Sequence, residues 1–182
     1  DYLRTVVVAP IVSGTEQKLG RAVNDEYFGK VPADRLVVKE KAAYFRADGK
    51  YRSKIGLSPQ RSRGVLGSYN PMDNVLTVVQ FTQPWLSKEY VNSEWKIQKD
   101  PYGGDAANSY NDGPSSSGGR PMGPFYELES SSPAASLSPG KSLVHTHRTI
   151  HIQGQPMELD AVSKEVLGVG VGEIVSVFSF KP

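Results

Sequence analysis

Short apolar and β-branched runs, broken by Gly, Pro, Asn and Asp, recur along most of this chain, the pattern expected of short strands. Leu3 to Ile11 is Val-rich and ends near Pro10, as a buried strand would. Leu36 to Lys41, Ala43 to Ala47, Tyr51 to Gly56 and Gly64 to Tyr69 follow, with turn signals at Asp48-Gly49, Ser58-Pro59 and Asn70-Pro71. Val75 to Thr82 is the strongest strand candidate, with Val75, Thr77, Val78 and Val79 ahead of Phe81. Trp95 to Gln98, Phe125 to Ser130, Leu143 to Gln153 and Ile174 to Phe180 complete the set. Helical spacing is confined to Met157 to Leu167, where Leu159, Val162 and Val166 share a face and Gly168 supplies a stop, plus a short stretch around Glu16 to Asn24. Many strands and few helices predict a mainly β fold, an antiparallel sandwich or barrel with one short C-terminal helix. A chain of 182 residues fits a single domain over 1–182 with its own core.

One segment breaks the pattern. Asp100 to Pro121 is 22 residues dense in Gly, Ser, Asn and Asp, and is expected to form a long loop. Asn108, Asn111 and Asp112 within it would either offer oxygens to a calcium ion or a sugar, or stabilise tight turns. Among the aromatics Trp85, Tyr90, Trp95, Tyr102 and Tyr110, flat rings suited to sugar faces, Trp85 and Tyr110 are expected to be exposed.

Composition narrows the function. Charged residues make up 22% and the net charge is +2, without the Lys/Arg cluster a nucleic-acid surface requires. The densest basic stretch, Lys50 to Arg63, reads as a solvated strand and turn. No apolar run is long enough to span a bilayer. Asp1 in place of a Met points to a processed end or an engineered boundary. The absence of cysteine excludes disulfides and thiolate chemistry.

The candidate chemistry lies late in the chain. All three histidines fall within seven residues, His145, His147 and His151, and strand alternation puts them on one face opposite Val144, Thr146, Arg148, Ile150 and Ile152. The same alternation puts Glu127 and Glu129 together, about 6.7 Å apart along a strand. A Glu and a His meeting from neighbouring strands would make an acid–base pair; otherwise both sets line polar faces without chemistry. Gly140-x4-His145-x-His147 also approximates the opening of a cupin metal site, where a divalent cation would need a carboxylate from Glu127 or Glu129 to complete it.

Glu127-Leu-Glu-Ser-Ser-Ser-Pro133, followed by Leu137-Ser-Pro-Gly140 and His145-Thr-His147, resembles the late part of galactose mutarotase-like (aldose epimerase-like) proteins. With Arg52-Ser-Lys-Ile-Gly56 and Asn108-Ser-Tyr-Asn-Asp-Gly113, it is closer still to an uncharacterised family of secreted proteins of Bacteroides-type bacteria in that superfamily, over about Asn24 to Gly154. The resemblance implies a β-supersandwich, of which this chain would be the C-terminal portion, a periplasmic or extracellular location, and a carbohydrate ligand. It implies Glu127 or Glu129 as the base that takes the anomeric proton. The family's acid is a His from an earlier half of the fold, where this chain departs from the pattern, since no histidine precedes His145. His145 and His147 are catalytic candidates through their place beside Glu127 and Glu129. Lys54, Trp85, Asn108, Tyr110, Asn111, Asp112 and His151 would contact the sugar. No resident cofactor is implied, and the oligomeric state stays open. The rival readings are a cupin-like metal enzyme with His145 and His147 as ligands, and a non-catalytic interaction domain.

Overall fold

A computed structural model describes residues 4–84, 86–115 and 119–178. Nine strands form two antiparallel sheets: β1 (Val6–Pro10), β2 (Leu36–Val38), β3 (Ala42–Arg46), β4 (Ser53–Leu57), β5 (Val65–Asn70), β6 (Val75–Phe81), β7 (Ala107–Asn111), β8 (Tyr126–Ser130) and β9 (His147–Gln153). Three helices accompany them, α1 (Glu16–Leu19), α2 (Pro156–Leu167) and α3 (Val171–Ser176). The large sheet runs β2-β3-β1-β5-β6-β9 and the small one β4-β7-β8.

The large sheet is covered on both faces, which is why β1 reads VVVAP without polar alternation. Val7, Ala9, Phe45, Leu66 and Val79 face the small sheet and pack with Ile55, Leu57 and Ala107. Val6, Val8, Tyr44, Leu76 and Val78 face the other way and pack under Leu159, Leu167 and Ile174 of the helices. The result is a β-sandwich with a helical layer on its back. Burying Leu159 and Ile174, both essentially inaccessible, contributes about 1.5–3 kcal/mol each before entropic costs. A buried Arg61 staples the N-terminal loop: its guanidinium donates to the carbonyls of Val12 (2.9 Å), Gly14 (2.9 Å) and Gly20 (2.6 Å).

Helix α2 matches its expected span to within one residue, and ends at Gly168 in the left-handed region (φ 75). Three expectations fail. The segment Ile174 to Phe180, expected as a strand, holds α3 as far as Ser176, because Val171 and Ile174 are a helical turn apart and bury together against the sheet; residues 179–182 lie outside the described ones. Trp95 to Gln98 forms no strand; there the Gln98 amide donates to the carbonyls of Asn92 and Glu94, closing a compact turn. The expected long loop over 100–121 contains β7, the central and fully buried strand of the small sheet. No helix among the described residues is long and apolar enough to cross a membrane.

Candidate functional site

The small sheet presents two unlike faces. Ile55, Leu57, Ala107 and Leu128 point inward to the core, so alternation turns Lys54, Gly56, Asn108, Tyr110, Glu127 and Glu129 outward. Register aligns them in two rows, Lys54–Tyr110–Glu127 and Gly56–Asn108–Glu129. The Lys54 ammonium, whose side chain is only 12% exposed, donates to Glu129 Oε2 at 2.9 Å. It also lies 5.4 Å from the centre of the Tyr27 ring. Glu129 Oε1 is buried and accepts from no donor group among the described residues. Burial, the adjoining Glu129 charge and a hydrogen bond to Glu129 push the Glu127 carboxyl above its ordinary range.

A second cluster adjoins the first. Asn24 and Gly56 exchange backbone hydrogen bonds of 2.8 Å, which lays residues 24–28 beside β4. Tyr27 then donates its hydroxyl to Asp105 Oδ2 (2.5 Å) and accepts from Asn108 Nδ2 (2.9 Å), while Asn24 Nδ2 donates to the same Asp105 oxygen (3.1 Å). Gly56 makes room for this: a β-carbon there would collide with the Asp105 carboxylate and lie 2.7 Å from Asn108 Nδ2. Burial raises the Asp105 pKa even though Tyr27, Asn24 and Lys54 favour its charged form. Burial and the Asp105 charge hold the Tyr27 phenol well above its usual range.

Aromatic rings flank the rows. Tyr110 meets Phe28 edge-on at 5.9 Å and Phe125 at 5.9 Å, and the Arg52 guanidinium stacks 4.0 Å over Phe28. Tyr110 is 6% exposed, not open as expected, because its hydroxyl is turned back to donate to Asp112 Oδ1 at 2.8 Å. Asp112 also accepts from the Gly123 N–H at 2.9 Å. Burial works against its charge, but these bonds outweigh it and hold the carboxyl below its ordinary range. Asn111 is likewise structural: its amide donates to the Tyr51 carbonyl and its oxygen accepts from the Gly49 N–H, each at 2.9 Å. Trp95, not among the rings expected to be open, is 94% exposed. It stands beside Ser93 and Glu94, which act on Tyr27 and Asp105 respectively. Trp85 lies outside the described residues.

The histidines belong to a different surface. His147 and His151 lie on β9, the edge strand of the large sheet, and His145 just precedes it. Ser130 bonds both His145 Nε2 (2.8 Å) and His147 Nδ1 (2.7 Å), and Thr77 bonds His151 Nδ1 (3.0 Å). Ser130 follows the inward phase of β8, with Tyr126 and Leu128, opposite to Glu127 and Glu129. The two glutamates and the two histidines thus flank opposite sides of the small sheet, and the Glu–His acid–base pair expected from the sequence is not assembled. Hydroxyl groups, not carboxylates, surround the imidazoles, and no group of three or more His, Cys, Asp or Glu that could hold a metal ion occurs among the described residues.

Fold and site together define a mainly β sandwich that carries a lysine–carboxyl cluster on the outward face of its smaller sheet. Over residues 3–178 the chain matches a family of unknown function (DUF6786), and it belongs to that family. No curated protein matches the chain significantly. The same holds for solved structures. Asn24, Tyr27, Phe28 and Asp105 were not legible as site residues, since only the Asn24–Gly56 bridge and the β4–β7 pairing bring them to Lys54.

Proposed function

We propose that the protein binds a carbohydrate on the outer face of β4-β7-β8. The observation that carries this reading is the cluster of Lys54, Glu127 and Glu129, one ammonium and two carboxyls on one sheet face, with Lys54 held on Glu129. Such a group can donate to and accept from neighbouring sugar hydroxyls at once. Trp95, next in sequence to Ser93 and Glu94, offers an uncovered ring for a sugar face. The resemblance to galactose mutarotase-like proteins supports the same ligand class and a periplasmic or extracellular setting. Within that frame Glu129, paired with Lys54, takes the role of proton acceptor, and Glu127 that of proton donor; both replace the histidines as acid–base candidates.

The test is calorimetric titration with neutral and acidic hexoses and their disaccharides, on the natural protein and on Lys54→Met and Trp95→Ala. Lys54→Met is expected to weaken binding more than tenfold and Trp95→Ala about fivefold, in line with about 1 kcal/mol for a ring contact. Wild-type affinity in both variants would sink the proposal.

An interaction domain is the second reading, and one observation favours it. Among the described residues β9 is an outermost strand, and Leu143, Val144 and Ile150 in and before it are exposed, the setting in which a partner strand adds. Under that reading Val144→Lys with Ile150→Lys abolishes self-association seen by sedimentation velocity; a monomer at all concentrations, with wild-type chain, counts against it.

A further inference from the structure

Next to the Tyr27–Asp105 cluster lies a groove of about 400 Å³, within the size range of small-molecule pockets. Its wall carries Lys18 from the last turn of α1, Arg21 and Lys88, with Asn24 and Gln60 as neutral polar groups. Asp105 is the one carboxylate in that lining, and both Tyr27 and Asn24 already donate to it. Arg21 is paired with Glu26 at 2.7 Å. Lys18 and Lys88 have no ion-pair partner among the described residues, so the lining carries two lysines that no close carboxylate neutralises.

Asp105 also joins the groove to the carbohydrate face. Its carboxylate sits over Gly56, two residues along β4 from Lys54 and on the same side of the strand. On the carbohydrate reading, a ligand held at Lys54, Glu127 and Glu129 would reach the groove by passing over Asp105, which borders both. A hydroxyl of that ligand would meet Asn24 and Gln60 there, and a negatively charged substituent would meet Lys18 and Lys88.

We infer that this groove is an anionic subsite, and that the carbohydrate taken by the protein carries a carboxylate or a sulfate group, as hexuronates and sulfated hexoses do. This rests on the carbohydrate reading of the Lys54 face and assigns its substrate class. An exposed ammonium pair acts chiefly by attraction, so the preference is expected to shrink as salt rises.

The test compares matched probes by NMR-detected titration of the full chain: hexoses of the gluco, galacto and manno series, their hexuronates, their 6-sulfates, and inorganic sulfate. At least one hexuronate or 6-sulfate is expected to bind at least tenfold more tightly than its parent hexose. In Lys18→Ser with Lys88→Ser, the acidic probe should fall to within twofold of the parent, while the parent's own affinity stays unchanged. Equal affinity for acidic and neutral partners of every series overturns the subsite and leaves the carbohydrate reading standing. Inorganic sulfate binding as tightly as the best 6-sulfate overturns the sulfated-sugar subsite, because the sugar would then contribute nothing to that probe. No binding by any sugar overturns both the subsite and the carbohydrate reading.

Discussion

The outward face of β8 and the strand β9 each gather chemically capable side chains by the same two-residue alternation, yet they end in unlike surroundings. Glu127 and Glu129 project beside a nearly buried Lys54 and next to the Tyr27–Asp105 pair, all held by segments far apart in sequence. His145, His147 and His151 project toward the hydroxyls of Ser130, Thr77 and Thr82 along an exposed edge. On β8, burial and the neighbouring Glu129 charge raise the proton affinity of Glu127, whereas the imidazoles have hydroxyl partners on a solvent-facing edge. Residue type and periodicity single out both regions. Only the long-range pairing separates them.

The contrast can be broken at its steric foundation first. Gly56→Ala forces the Asp105 carboxylate and the Asn108 amide off the sheet, and is expected to cost about 2–3 kcal/mol, read as a lowered urea midpoint. The same change should abolish sugar binding. Lys54→Met comes next: it leaves a partly buried Glu129 carboxylate without its cation, for an expected loss of about 1–3 kcal/mol, discounted for the exposure of Glu129. A Lys54→Met/Glu129→Gln double variant should recover part of that loss. An unchanged midpoint in Lys54→Met would mean that the pair is solvent-screened.

Protonation offers a finer test. The Glu127 carboxyl is raised in the folded protein, so the native state holds that proton more tightly than the unfolded chain does. Its contribution is fully present below the ordinary carboxyl range and is lost as pH rises through the raised value. Asp112 is lowered, so its contribution is present above the ordinary range and is lost as pH falls through the depressed value. Glu127→Gln should therefore remove the decline of stability on the alkaline side of that range and leave the acid-side loss intact, as thermal melts across pH 3 to 8 would reveal. The smallest effect belongs to the histidines: His145→Ala with His147→Ala is expected to cost about 1 kcal/mol or less, since exposed hydrogen bonds exchange readily with water. A loss above about 3 kcal/mol would move the centre of gravity of the site to β9.

Much of the fold was legible because its signals are local. The β-branched runs of β1 and β6 and the Leu159, Val162, Val166 spacing of α2 state their own conformation. Strand β7 was hidden because ANSYN carries small and polar residues whose burial depends on partners elsewhere, such as the Tyr51 carbonyl and the Gly49 N–H for Asn111. The segment Ile174 to Phe180 reads as a strand because it is rich in Ile, Val and Phe, but its start lies in α3, where packing of Val171 and Ile174 under the sheet selects a helix. Alternation identified the Glu127–Glu129 pair from sequence. Its partners Lys54, Tyr27 and Asp105 required the β4-β7-β8 pairing and the Asn24–Gly56 bridge, which no short-range pattern encodes.

The central claim is that carbohydrate binds the lysine–carboxyl face and not the histidine strand. A ¹H–¹⁵N NMR titration of the whole chain with the tightest-binding sugar tests it most directly. The account predicts shifts concentrated at Lys54, Gly56, Asn108, Glu127 and Glu129, abolished in Lys54→Met and retained in His145→Ala with His147→Ala. Shifts concentrated on residues 145–153, surviving Lys54→Met and lost in the double histidine variant, would contradict it.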